Sequence, residues 1–377
     1  MSRNHFSFIF FSLNLIILPF IYGQKFAIIG DFRDATTGTY EVSELIKSWD
    51  PEFIVTVGDN YNPYAGTIDE QVGQYYHEFI YPYYGAYGEG DTVNRFFPAI
   101  GNHDVDGVGY EDYLDYFVLP GNERYYDFVR GEIHFFVLNS NPDEPNGTSD
   151  TSLQAQWLEI KLATSVSAYK IVILHHPPYS SGYHGSNTYT QWPFGQWGAT
   201  TVISGHDHYY ERLNIDDLPY FINGAGGGPL YTVFNAIQGS EVNYYDSHGA
   251  MLIEADSDSL HLRFYNVADS LIDKYTILNN QTYGDNRIDK DRAVRLNIIP
   301  NPFGHSAAIK FRLPQSGKVR LMICDVRGRP VAVPVDGMLD KGLHTILWNA
   351  EGLEAGIYHF CLYFDDAVCI QKSVLCK

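Results

Sequence analysis

Cysteine does not occur in this 377-residue chain until position 324; the four it has are Cys324, Cys361, Cys369 and Cys376. A thiol nucleophile is therefore excluded before the tail. Within the tail the even count permits two disulfides, whose pairing the spacing leaves open. Basic residues are also scarce, 25 Lys and Arg against 45 Asp and Glu, for a formal net charge of −20. Such a surface repels nucleic-acid phosphates and anionic membranes, so neither is an expected partner. Long apolar runs are missing after the N-terminus, so no later segment is expected to span a membrane. Repeats and low-complexity tracts are absent too. What remains is an ordinary globular composition, 45% hydrophobic and 19% charged, at a length that suits two domains. The 30 Tyr and 23 Phe favour β-strands and tyrosine-lined surfaces.

The N-terminus reads as an export signal over residues 1–23. Arg3 stands without an acid in Met1–His5, Phe6–Tyr22 is mostly Phe, Ile and Leu, and Gly23 supplies a small-residue exit. The run is shorter than the roughly 20 residues of a spanning helix. A secreted or cell-surface protein is the expectation, with an uncleaved anchor as the alternative.

Apolar runs and helical patterns alternate through the first two thirds. Lys25–Gly30, Phe53–Gly58, Phe96–Gly101, Lys170–Leu174 and Thr201–Ser204 read as buried strands. Tyr40–Trp49 and Leu153–Ala163 have helical spacing, and Tyr125–Val129 with Ile133–Asn139 suggests a hairpin. Each of the five runs ends in polar residues able to bind metal. Because ligands of α/β sheets bind beyond the carboxyl ends of strands, these five sets are expected to meet on one rim. From about Leu218 the pattern turns to short β runs.

The five sets are Gly30-Asp31, Gly58-Asp59-Asn60, Gly101-Asn102-His103-Asp104, His175-His176-Pro177 and Gly205-His206-Asp207-His208. Carboxylate, amide and imidazole together suit Fe, Zn or Mn better than Ca. The glycine that opens four of the five sets is expected to let the chain turn sharply. Each set alone is an ordinary turn; all five, in order and at strand ends, are specific.

The series resembles the calcineurin-like metallophosphoesterases, and within them the small, tartrate-resistant type of purple acid phosphatase, over residues 24–280. The resemblance implies a four-layer α/β/β/α sandwich and two divalent or trivalent metal ions (Fe, Zn or Mn). It implies Asp31 and His208 on the first metal, Asp59 bridging, and Asn102, His175 and His206 on the second. His103 would contact phosphate and help protonate the leaving group, with His184 as a second substrate histidine. His176, next to the ligand His175, is expected to point away. Bound metal would also supply the positive centre that an anionic substrate needs on so acidic a chain.

One ligand position departs from the family. The Tyr expected three residues after Asp59 is replaced by Asn62, with Tyr61 one place early. The His that another branch carries two residues after Asp31 is replaced by Arg33. Tyr61, Asn62 or water would complete the first metal site, in a colourless or weakly coloured enzyme. Gly224–Gly228 lacks the Lys-Ser/Thr of a phosphate loop and reads as a tight turn near the rim.

Asn279–Arg292 is polar, placing a linker over residues 281–294. Residues 295–377 then show short strands between Gly and Pro turns, the pattern of a small immunoglobulin-like β-sandwich. Pro300-Asn301-Pro302-Phe303, Asp325-Val326-Arg327-Gly328-Arg329 and Gly356-Ile357-Tyr358 resemble the C-terminal sorting domain of the type IX secretion system. That resemblance implies secretion machinery as a partner; an accessory binding module is the alternative. The whole reading expects a secreted phosphomonoesterase acting on a small phosphorylated substrate through a metal-activated hydroxide. A phosphodiesterase or nucleotide pyrophosphatase, and a non-catalytic surface protein on the same scaffold, stay open.

Overall fold

The computed structural model describes residues 23–279 and 296–376, apart from Val108, Phe234, Pro314, Arg327, Gly328, Asp365 and Asp366. The expected leader, Gly23 apart, and the expected linker lie outside the described residues. The chain divides into two compact units, Met1–Gly284 and Asp285–Lys377.

Among the described residues the first unit has thirteen strands: β1 (Gln24–Ile29), β2 (Phe53–Thr56), β3 (Phe96–Pro98), β4 (Tyr126–Arg130), β5 (Ile133–Val137), β6 (Tyr169–Ile173), β7 (Thr201–Ser204), β8 (Tyr210–Ile215), β9 (Leu218–Asn223), β10 (Ser240–Tyr244), β11 (Gly249–Ala255), β12 (Ser259–Asn266) and β13 (Leu271–Leu278). They form a six-stranded sheet in the order β13-β12-β11-β1-β2-β3 and a seven-stranded sheet in the order β10-β8-β9-β7-β6-β5-β4. Strands β1, β2 and β3 run parallel in one, and β5, β6, β7 and β9 in the other.

Period-two alternation builds the layers. On β5 and β6, Ile133, Phe135, Val137, Ile171 and Ile173 face the core shared by the two sheets. Phe136 and Val172 face the other way, onto Ala155, Leu158 and Leu162 of the helix Leu153–Thr164. Aromatic rings lock the sheets together: Phe97 of β3 stacks on Phe128 of β4 at 3.9 Å, and Phe26 of β1 meets Phe135 of β5 edge-on at 5.2 Å. Offset and edge-on ring pairs add about 1 kcal/mol each beyond their burial. The helix Thr37–Ser48 buries Val42, Leu45 and Ile46. It starts three residues before the expected Tyr40, because the Thr36 hydroxyl accepts from the Thr39 amide and caps it. The α/β/β/α sandwich expected from the resemblance is thus the fold of this unit.

The second unit is all β. One sheet holds β14 (Leu296–Ile299), β15 (Ser306–Leu313) and β18 (Gly342–Asn349); the other holds β16 (Gly317–Cys324), β17 (Pro330–Leu339), β19 (Gly356–Phe364) and β20 (Ala367–Leu375). Phe303, Ile309, Phe311, Leu321, Ile323, Trp348 and Phe360 fill the core between them. Asp325 and Arg329 close the turn after β16 with an ion pair, a hydrogen bond from the Arg329 amide to the Asp325 carboxylate and one from the Asp325 amide to the Arg329 carbonyl. Cys324, Cys361 and Cys376 are free thiols, so the two disulfides that the count permits are not formed.

Candidate metal centre

The parallel strands of both sheets end on one rim. Asp31 follows β1, Asp59 follows β2, Asn102 follows β3, His175 follows β6, and His206 and His208 lie between β7 and β8. The backbone at this rim is unusual. Asp31, Asp59 and His206 adopt left-handed φ of 58°, 54° and 71°, which costs an L-residue roughly 1–3 kcal/mol. The glycines before them were expected to make these turns, yet only Gly58 has a left-handed φ, at 96°. Gly30, Gly101 and Gly205 serve close approach instead: a Cβ on Gly205 would stand 2.4 Å from Asp31 Oδ2, and one on Gly101 2.2 Å from the Asp59 nitrogen.

On one side of the rim, Asp59, Asn102, His175 and His206 converge. His175 Nε2 lies 3.0 Å from Asn102 Oδ1, 3.4 Å from Asp59 Oδ1 and 3.2 Å from His206 Nδ1. The other nitrogen of His175, Nδ1, is 2.9 Å from the Val57 carbonyl. A carbonyl only accepts, so the proton sits on Nδ1 and Nε2 presents a lone pair. Burial pushes both His175 and His206 well below the usual imidazole range, keeping them neutral. The oxygens of Asn102 and Asp59 also present lone pairs. With His206 in the tautomer that leaves Nδ1 bare, these acceptors face one another without a proton to share, an arrangement that a cation satisfies. A metal about 2.1 Å from each ligand would set neighbours about 3.0 Å apart at right angles and about 3.4 Å apart at the tetrahedral angle, which is the observed spacing. These residues fit a metal ion.

The other side differs. Asp31 is fully buried and receives the His206 amide on both oxygens, at 3.1 and 3.0 Å. Burial, then the charge of Asp59, holds its carboxyl well above the usual range, and Arg33 opposes them. His208 donates from Nδ1 to the Pro229 carbonyl at 2.9 Å and stacks on Tyr231 at 4.4 Å. Its Nε2 lone pair lies 3.5 Å from Asp31 and 3.2 Å from Arg33 Nη1. The same Nη1 is 3.5 Å from Asp59 Oδ2. A guanidinium therefore sits among the three expected first-metal ligands, where Asp31 and Asp59, together with His175, also offer ligand atoms within 4.8 Å of one another.

Neither expected substitute ligand reaches this place. Tyr61, expected as a metal ligand, is turned into the core. Its hydroxyl faces Asp112 at 3.5 Å and its amide donates to Asp104. Asn62 donates to Asp34 and accepts from the Tyr64 amide. Both are drawn away by polar partners from other segments, Asp112 and Asp104 for Tyr61 and Asp34 for Asn62.

The two candidate substrate histidines lie at the lip. His103 donates its amide to Asp59 at 2.9 Å, and its partly exposed ring stands 4.0 Å from Asp59 Oδ2. His184 is exposed, with its ring 4.3 Å from that of His206, and its amide donates to Asp207 at 2.8 Å. His176, expected to point away, is buried with its ring 4.5 Å from that of His206. The chain leaves the extended conformation after Ile173, so strand alternation no longer separates the two rings. Its Nδ1 is 2.9 Å from the Ser140 hydroxyl, and burial takes the ring down to about 4. Asp104 was quoted in a motif but given no role. It accepts from the amides of Gly101, Asn60 and Tyr61 and from the Asn60 side chain, tying the Asp59 loop to the Asn102 loop.

A rim of Asp, Asn and His at parallel strand ends, with Asp31, Asp59, His175 and His208 buried, is the kind of arrangement a metal-dependent hydrolase uses. The family comparison agrees: residues 24–210 match the calcineurin-like phosphoesterases. Purple acid phosphatase 3 of Arabidopsis thaliana is 25% identical over 279 residues, spanning 64% of this chain and 74% of the relative. Among solved structures, GAP50, the anchor in the inner membrane complex of Plasmodium, aligns with a TM-score of 0.54 at 19% identity, over 69% of this chain and 90% of that one. The purple acid phosphatase PPD1 from yellow lupin seeds aligns with a TM-score of 0.54 at 17% identity, over 68% of this chain and 53% of that one. At such identities the structures establish the fold alone. Residues 24–210 thus match a calcineurin-like metallophosphoesterase domain, and the acid-phosphatase relatives support a phosphoric ester hydrolase.

Proposed function

We propose that this protein hydrolyses phosphate monoesters with metal held by Asp59, Asn102, His175 and His206. The observation that carries the reading is the convergence of three ligand atoms, from Asn102, His206 and Asp59, within 3.0–3.4 Å of a fourth, His175 Nε2. An ion bound there supplies Lewis-acid chemistry and lowers the pKa of water. His103 is near enough to the Asp59 carboxylate, and open enough to solvent, to meet a substrate oxygen and give it a proton. His184, with its backbone fixed by Asp207, can donate to a second phosphoryl oxygen. The expected second ion, at Asp31 and His208, meets the Arg33 guanidinium instead. Acid-phosphatase relatives support the monoester over the diester.

The test is turnover of a chromogenic monoester against its diester by metal-stripped protein refilled with Fe, Zn or Mn. Metal-dependent turnover favouring the monoester is expected; preference for the diester would move the protein to the phosphodiesterase side.

Export and delivery by secretion machinery through the second unit are part of the same proposal. Mass spectrometry of the secreted protein should find a mature form ending near residues 290–300. A surface form that retains residue 377 would favour the accessory-module reading.

A further inference from the structure

We propose that the Arg33 guanidinium is a built-in second cation of this centre, so that the chain loads one metal ion rather than two. The inference rests on the metallophosphoesterase reading above and deepens it.

The loop geometry commits Arg33 to the site. Asp31 has its left-handed φ, and the next residue, Phe32, is fully buried with its ring edge-on to Tyr76 at 5.5 Å. The Phe32 carbonyl accepts from the Thr39 hydroxyl at 2.8 Å, at the start of the first helix. Asp34 is again left-handed, and its amide donates to Gln71 at 2.9 Å. With residues on both sides pinned, Arg33 lies against the rim with a side chain only 11% exposed.

Its charge answers the charges around it. Two carboxylates, Asp31 and Asp59, are buried together there, and Arg33 Nη1 stands 3.5 Å from one of them. Its hydrogen bond to His208 Nε2 uses the lone pair that a first metal would need. A metal coordinates imidazole at about 2.0–2.1 Å. Set on that lone pair, it would crowd Nη1, which lies only 3.2 Å from the nitrogen, and would add a second positive charge beside the guanidinium. On the other side, the lone pairs of Asn102, His175 and His206 meet no such donor. A guanidinium also brings what a bare ion does not: a planar fork of N–H donors matched to two phosphoryl oxygens.

The experiment is metal stoichiometry of the full chain, incubated with Zn or Mn, dialysed, and measured by inductively coupled plasma mass spectrometry and titration calorimetry. About one tightly held ion per chain is expected for the natural protein, and about two for Arg33→His, which frees His208 and adds an imidazole. Arg33→Ala tests the exclusion without adding a ligand and is expected to gain the second ion more weakly. Two tightly held ions in the natural protein would overturn the inference while leaving the phosphoesterase reading intact. One ion with no turnover of any phosphoester would retain the inference and sink the function. No bound ion would overturn both.

Discussion

The two halves of the rim are made of the same residue types and are not the same site. Around His175, the lone pairs of Asp59, Asn102 and two neutral imidazoles face one another and are left for a cation to satisfy. Around His208, the equivalent lone pairs point at a cation that the chain already carries. Ligand identity is therefore a poor guide to occupancy: Asp31 and His208 keep the family residues while their neighbour at position 33 changes what they can hold.

The largest expected contrast comes from removing one ligand on each side. Asn102→Ala should lower metal affinity by at least about a hundredfold and abolish turnover at ordinary metal concentrations, since even supporting partners of ligands cost 10–100-fold. His208→Ala should leave the bound metal unchanged and lower kcat by about tenfold, because it removes a support of Arg33 rather than a metal ligand. Metal analysis beside steady-state kinetics checks both. Equal metal loss in the two variants would break the distinction and return the centre to two ions.

Much of this was legible in the sequence, for a physical reason. Strands covered on both faces must be apolar, so β1, β2, β3, β6 and β7 stand out as runs, and the polar residues after them mark the rim. The all-β character of residues 296–375 was legible in the same way, from short runs between turns. Side-chain direction beyond the strand ends was not. Whether Arg33 points into the rim depends on the left-handed φ of Asp31, and the His206 amide that holds Asp31 comes from a loop 175 residues away. Arg33 was read only as a missing histidine. Tyr61 was expected near the metal because of its spacing, but a carboxylate at Asp112 and core packing claim the ring. His176 was sent outward by strand alternation that the chain had already left. Asp104 stood in a metal-binding motif without a ligand role, and its actual one, four hydrogen bonds, is visible only once the loops are folded.

The finest test asks whether Arg33 excludes the metal by charge or by shape. Lysine at this position keeps a positive charge but replaces the planar fork with a compact ammonium on a flexible stem. If charge beside His208 is what matters, Arg33→Lys should still bind about one metal ion, with kcat within about threefold and KM raised about tenfold as the paired phosphoryl contacts are lost. If the filled lone pair of His208 matters more, the shorter reach of lysine frees it, and the variant should load the second ion as Arg33→His does. Metal content decides between these outcomes and the rise in KM measures what the fork contributes. Unchanged metal content together with unchanged KM would mean that Arg33 balances the buried carboxylates of Asp31 and Asp59 without touching substrate.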